Sequence, residues 1–221
     1  MTTFRPLLAC AVAASLLGCA TAPQGDRYAK LVAADPRSIL IVPAVSKSVN
    51  VDAPAYFLST IPIPVAERGY YVFPVNMVKR VLEDDGLSDA SLVHGADPAR
   101  LSKLFGADAV LYVTIQRWDA QYMVVSTTVT VQISYVLKDG KTGDILWKAD
   151  ESLTYSSDSG GSGSILAGVI NAAIAKASPS YMPLARQANE AALAYPGDGF
   201  PAGPYRADYR KDLGPGAPGA K

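Results

Sequence analysis

One histidine, two cysteines and a short run of carboxylates are the groups in this 221-residue chain whose type and spacing could carry chemistry. Cys19 has the clearest setting. It follows Leu16-Leu17-Gly18, and the apolar run Leu7 to Leu17 is preceded by one charge, Arg5. A thiol in that place is a nucleophile that can receive diacylglycerol. The small Gly18 before it lets a peptidase reach the bond, although Leu17 is bulkier than the Ala, Ser or Thr usual at its position. The run has the length of a signal-peptide apolar core and falls well short of the ~20 residues of a spanning helix. A plain secretory signal that happens to contain Cys is the competing reading. Ala20 is not the Asp that retains such chains at the inner membrane, so the expected address is the outer membrane. In that processing Cys10 leaves with residues 1–18, and Cys19 carries the acyl chains, palmitate among them. Several chains on one residue hold firmly where one is marginal.

The other candidates argue for bland roles. A Ser-His-Asp triad would have to use His94, and no Gly-x-Ser-x-Gly elbow occurs. His94 is expected as a solvated residue in a loop between two helices. Glu83-Asp84-Asp85 lacks the alternating oxygen ligands of a calcium loop and reads as a solvated helix end. Lys141-Thr142-Gly143 matches one penicillin-interacting motif, but no Ser has Lys three residues later, so turn chemistry is expected. Gly160-Gly161-Ser162-Gly163-Ser164 has no Gly-Lys-Ser/Thr after it and reads as a linker. No catalytic residue, metal site or cofactor follows from these residues.

Elements that would position such groups alternate along the chain. Ser38 to Val42 is a short continuous apolar run, as in a buried strand, and Pro43 ends it. Asp52 and Pro54 begin a short helix. Ile61-Pro62-Ile63-Pro64 is expected to be extended, since each proline biases its predecessor away from the helix. Gly69 to Pro74 is a strand, and a helix follows to Gly86. Asp97-Pro98 opens another helix, which Gly106 ends. Ala107 to Trp118, Val124 to Leu137 and Ile145 to Tyr155 form an antiparallel meander, the middle strand alternating Val129, Val131, Ile133, Tyr135 and Leu137 with polar residues. Two Ala-rich helices come next. The first presents Ile165, Leu166, Val169, Ile170 and Ile174 as one stripe, either covering the sheet or docking a partner. Tyr70 and Tyr71 join that stripe as candidate partner-binding residues, because aromatics with a polar tip suit interfaces.

The fold class is therefore α/β (α+β), a mixed sheet with a β-α-β-α start, a three-stranded meander and C-terminal helices packed on it. The expected organisation is a signal peptide over 1–18, a lipidated tether over 19–35, one domain over 36–195 and a Gly/Pro-rich, extended tail over 196–221. Lys and Arg number 20 against 20 Asp and Glu, which excludes a basic surface built for nucleic acid. Removing 1–18 takes only Arg5, leaving 19 basic against 20 acidic residues. Apolar residues at 49% exclude a disordered chain.

Three stretches resemble one family. Pro62 to Val75, with Arg68-Gly69-Tyr70-Tyr71 at its centre, is similar to the signature of a family of bacterial lipoproteins of unassigned function that includes a neisserial surface-lipoprotein antigen. Phe105 to Ile115 and Thr142 to Trp147 are similar to its second and third signatures. Their short motifs also recur in the curli-secretion lipoprotein and in the N-terminal domain of the Tol–Pal translocation protein. The resemblance implies an outer-membrane lipoprotein with a domain like that Tol-protein domain. It implies a multi-lipoprotein envelope complex with a curli-secretion-like lipoprotein, and a dimer is among the assemblies it implies. It supplies no catalytic residues. The expected function is a non-enzymatic accessory subunit in envelope transport or assembly, facing the periplasm, with surface exposure as the alternative. A regulator of cell-wall synthesis and an envelope hydrolase are the competing functions. The first would need a tether longer than this one, and the second a nucleophile and base that do not cluster here.

Overall fold

A computed structural model of the chain describes residues 27–122, 127–156, 182–194 and 199–213. Helix α1 spans Ala29–Ala34, followed by β1 (Ser38–Ile41), β2 (Val45–Ser46), α2 (Ala53–Thr60), α3 (Pro62–Glu67) and β3 (Tyr71–Val72). Three helices come next, α4 (Val75–Asp84), α5 (Ala90–Gly95) and α6 (Pro98–Phe105). The long strands β4 (Ala109–Tyr122), β5 (Thr127–Asp139) and β6 (Ile145–Ser156) precede α7 (Met182–Ala194).

The sheet order is β3-β1-β4-β5-β6, with β1 parallel to both neighbours and the meander antiparallel. β1 sits between two parallel strands and is covered on both faces, which is why its sequence is a continuous apolar run. Ile39 and Ile41 enter one core, Leu40 and Val42 the other. β2 continues β1 along β4, but the pairing moves from Ile41↔Leu111 to Val45↔Thr114, an offset of one residue across Pro43. Proline has no N–H for the ladder, so the strand is interrupted there.

The larger core lies between one sheet face and α1, α2, α3 and α7. Ala109, Leu111, Val113 and Ile115 of β4 meet Val131, Ile133, Tyr135 and Leu137 of β5 on that face, all essentially inaccessible. The small side chains Ala185, Ala188 and Ala192 let α7 come close. Tyr135 donates its hydroxyl to Asn189 Oδ1 at 2.8 Å, and Asn189 Nδ2 donates to Thr60 Oγ1 at 2.9 Å. This buried chain ties the sheet to α7 and α2. The smaller core, with Val78, Leu82, Val93, Leu101, Val110 and Tyr112, is roofed by α4, α5 and α6.

The caps follow the expected chemistry. Asp97 accepts from Ala99 N at 3.0 Å, and Gly106 closes α6 at φ +70°. Asp52 stands at the N-cap of α2 but makes no side-chain cap bond.

Three expectations are corrected. Residues 62–67 are helical, not extended. Pro62 and Pro64 fall in the first turn of α3, where no N–H is needed from them, and the burial of Ile61 and Val65 in the core outweighs the bias on the residues before proline. His94 lies in the last turn of a helix, α5, which Asp89 caps by accepting from Ser91 N at 2.7 Å. Residues 199–213 are no free extended tail. Phe200, Ala202 and Leu213 are buried, and Phe200 packs edge-on against Trp147 with centroids 4.9 Å apart.

Candidate functional site

His94 is held by structure. Its Nε2 lies 3.1 Å from the Pro43 carbonyl oxygen, which can only accept, so Nε2 carries the proton. The ring meets Tyr112 edge-on at 5.2 Å. Burial holds the imidazole below its ordinary 6.5, the Pro43 contact opposes that shift, and Lys138 adds to it. Lys138 also stands 4.8 Å over the Tyr112 ring, whose hydroxyl burial pushes up to about 12. Among the described residues no serine hydroxyl or carboxylate hydrogen-bonds His94. The histidine thus ties α5 to the proline that interrupts β1 and β2.

The carboxylates at the end of α4 are solvated, as expected, and face cations. Asp85 pairs with Arg100 at 2.6 Å, and Glu83 and Asp84 face Lys79 and Arg80 one turn back. Lys141-Thr142-Gly143 is a turn in which Asp139 accepts from Lys141 N and Thr142 N, both at 2.8 Å, while Gly143 takes φ +74°. Among the described residues no group of acids, cysteines or histidines could hold a metal ion.

The three signature stretches prove to be clamps. In the second, Asp108 Oδ2 accepts from Arg37 N and Ser38 N, both at 3.0 Å, and from Ser38 Oγ at 2.9 Å. Ser38 Oγ in turn accepts from Asp108 N, so the starts of β1 and β4 are locked together. In the first, Arg68-Gly69-Tyr70 receives residues 199–213, a strap. Gly69 has φ +83°, and a Cβ there would sit 2.9 Å from Arg206 N. Gly203 lies against the Gly69 carbonyl so closely that a Cβ would overlap it. Gly203 N donates to Arg68 O at 2.6 Å and Tyr205 N to Gly69 O at 3.1 Å. Arg68 pairs with Asp212, both largely buried, and Asp212 also accepts from Ala202 N at 2.7 Å. The strap then reaches α1. Tyr28 donates to Gly199 O at 2.8 Å, Tyr209 donates to Asp35, and Arg210 stands 3.5 Å from the same carboxylate. In the third signature Trp147 forms core, edge-on to Phe200 and tilted against Tyr135.

This geometry separates the two tyrosines proposed for partner binding. Tyr70 is a core residue, 6% exposed, whose hydroxyl donates to Pro201 O at 3.1 Å. Burial pushes its ionisation well up. It is sealed under the strap and presents nothing to a partner, which corrects the expectation for it. Tyr71 is 52% exposed on β3 and packs edge-on against Phe73. Cys19 and the stripe Ile165, Leu166, Val169, Ile170 and Ile174 lie outside the described residues.

The open part of the molecule is elsewhere. Among the described residues α4 to α6 cover the sheet only as far as Tyr112, and beyond it that face carries polar side chains. Gln116 donates to Ser134 Oγ at 3.1 Å, and Gln132 to Ser152 Oγ at 3.2 Å. Arg117 Nε meets both oxygens of Asp119 at 3.0 Å. A shallow depression of about 180 Å³ runs over Gln116, Gln132, Ser134, Asp150 and Ser152. At its side, β6 offers 12 residues that pair only with β5 among the described residues. Glu151 points toward the Ile133 and Tyr135 face, and burial, then Asp150, raises its ionisation. An inward charge on an edge strand limits indiscriminate pairing. The sequence had signalled β6 as a strand, but nothing local marks it as the edge.

The class these features define is an α+β domain on a mixed six-stranded sheet, with His94 held by the Pro43 carbonyl and one long strand edge without a partner among the described residues. No described helix is long and apolar enough to cross a membrane. The chain belongs to the GNA1162-like lipoprotein family, which matches residues 26–195. It is 33% identical over 167 residues to the lipoprotein NMB1124/NMB1162 of Neisseria meningitidis serogroup B, covering 74% of this chain and 77% of that one. The crystal structure of lipoprotein GNA1162 from Neisseria meningitidis is similar, with TM-score 0.55 and 32% identity over 64% of this chain and 97% of that one. A fainter likeness, TM-score 0.42 at 19% identity, links 68% of this chain to 90% of a chain in a PelC dodecamer from Paraburkholderia phytofirmans. The strap lies beyond the residues that match the family.

Proposed function

We propose that the chain is an outer-membrane lipoprotein, held by acyl chains on Cys19, that acts as a non-enzymatic accessory subunit of an envelope transport or assembly complex. Its domain faces the periplasm, and a curli-secretion-like lipoprotein is the expected neighbour. The observation that carries this reading is the outer edge of β6, which has no strand partner among the described residues and is flanked by the polar sheet face. Main-chain groups along a free edge give affinity to an added strand, and alternate side chains give it specificity. His94 is engaged by the Pro43 carbonyl, and the carboxylates after Lys79 face exposed cations, so the reading rests on surface complementarity. Membership of a lipoprotein family supports the anchor.

The test is capture after crosslinking in intact cells, with the full chain carrying an affinity tag at its C-terminus. Recovery of one or a few envelope lipoproteins in constant ratio is the expected outcome. Recovery of no envelope protein would count against the complex. A hydrolytic activity lost on His94→Ala or on neutralising Glu83, Asp84 and Asp85 would replace it with an enzyme.

A further inference from the structure

Where α1 packs beside the beginning of β6 the surface opens into a cleft of about 600 Å³, lined by Arg27, Lys30, Ile145, Leu146, Trp147 and Lys148. Three of these six side chains are cations and none is an acid. The flanking Asp144 and Asp150 do not line it, and Asp144 is engaged in the turn by the Thr142 hydroxyl at 3.1 Å. Leu146 and Trp147 form an apolar floor, and Ile145 is 48% exposed at the rim. Lys30 and Lys148 are both exposed. Cations around an apolar floor match a phosphate with hydrocarbon beneath it better than they match a neutral peptide.

The place of the cleft in the chain supplies the second argument. Arg27 is eight residues after Cys19. A segment of that length spans at most about 28 Å when extended, at roughly 3.3–3.6 Å per residue. A bilayer that held Cys19 would therefore lie within reach of the cleft.

We propose that this cleft docks the domain onto the membrane surface by binding the headgroups of anionic phospholipid. The proposal rests on the Cys19 anchor only for the nearness of the bilayer, and it concerns the first residues of β6. The far end of the strand, unpaired on its outer side among the described residues, is left to the proposed protein partner. Basic side chains near an anionic surface act additively, each worth roughly a fivefold gain in partition.

The experiment uses chain 19–221 with Cys19→Ser, sedimented with vesicles of phosphatidylethanolamine, alone or mixed with phosphatidylglycerol. The expected result is binding to the mixed vesicles only, weakening as salt rises. Lys30→Gln with Lys148→Gln lowers that partition roughly 25-fold. Lys79→Gln with Lys103→Gln, on the helices of the other layer, leaves it within about twofold. Equal binding to both vesicle types, no binding to either, or the same loss from both lysine pairs would overturn the proposal. Unfolding midpoints of the variants, which alter only exposed side chains, check that the fold is intact. The anchor is read separately, from the mass of the Cys19 peptide isolated from cells. An acylated Cys19 beside a vesicle-indifferent domain would sink the cleft and leave the anchor standing.

Discussion

Single side chains in this protein act mostly as clamps, and Asp108 shows how much one can hold. It neutralises three donors at the starts of two strands. Asp108→Ala leaves the Arg37 and Ser38 N–H groups short of an acceptor and is expected to cost about 2–3 kcal/mol in urea unfolding. The Arg68–Asp212 pair is more sensitive, because a guanidinium left alone in a largely buried site has no counter-charge. Asp212→Ala is expected to destabilise by about 3 kcal/mol, and Arg68→Met with Asp212→Leu to recover much of the loss. His94 gives a pH signature. Its folded ionisation lies below the ordinary 6.5, so the unfolded chain binds the proton more readily. Its contribution to stability is whole above that pH and is lost as pH falls through the lowered folded value. His94→Gln keeps a donor for Pro43 and removes the titration. Unfolding free energies of the two proteins should converge as the pH is lowered from 7.5, the parent losing more. Parallel curves would show that His94 does not titrate.

At the scale of elements the strap is the decisive feature. Phe200 fills the space between Trp147 and Tyr70, with ring centroids 4.9 and 4.8 Å away. Phe200→Ala is expected to cost about 3–5 kcal/mol. Ending the chain after Asp198 should redden tryptophan emission by wetting Trp147, and an unshifted spectrum would contradict the packing described. The meander, the α4 and α6 helices and the Asp97–Gly106 caps were legible in the sequence because their signals are local: alternation, a 3.6-residue stripe, a capping carboxylate, a closing glycine. The strap was not, because Gly199 to Leu213 reads locally as linker. Its burial comes from Gly203 against Gly69 and from an ion pair between residues 144 apart in the chain. Helix α3 hid behind two prolines that a first turn tolerates, and α5 is too short for a periodic signal. Of the candidate interaction residues, Tyr71 was legible as a surface aromatic. Tyr70, just before β3, could not be told from it, since neighbouring residues of an extended stretch face opposite sides and only the strap decides which side is sealed.

For the whole molecule, the two proposed surfaces lie at the two ends of one strand. The start of β6 is basic and apolar-floored, and the proposed anchor would hold it close to the bilayer, while its far half is a polar edge beside a sheet face that no described residue covers. The proposed accessory role needs such a division, one surface against the membrane and another for its partner. The most direct test places a photo-crosslinking amino acid at Ser152 or Thr154 on that edge, and at exposed Arg80 on α4 as control, in cells making the full chain. The account predicts a discrete adduct with an envelope protein from the two β6 positions and none from Arg80. Equal adducts from all three positions, or none from β6, would contradict it.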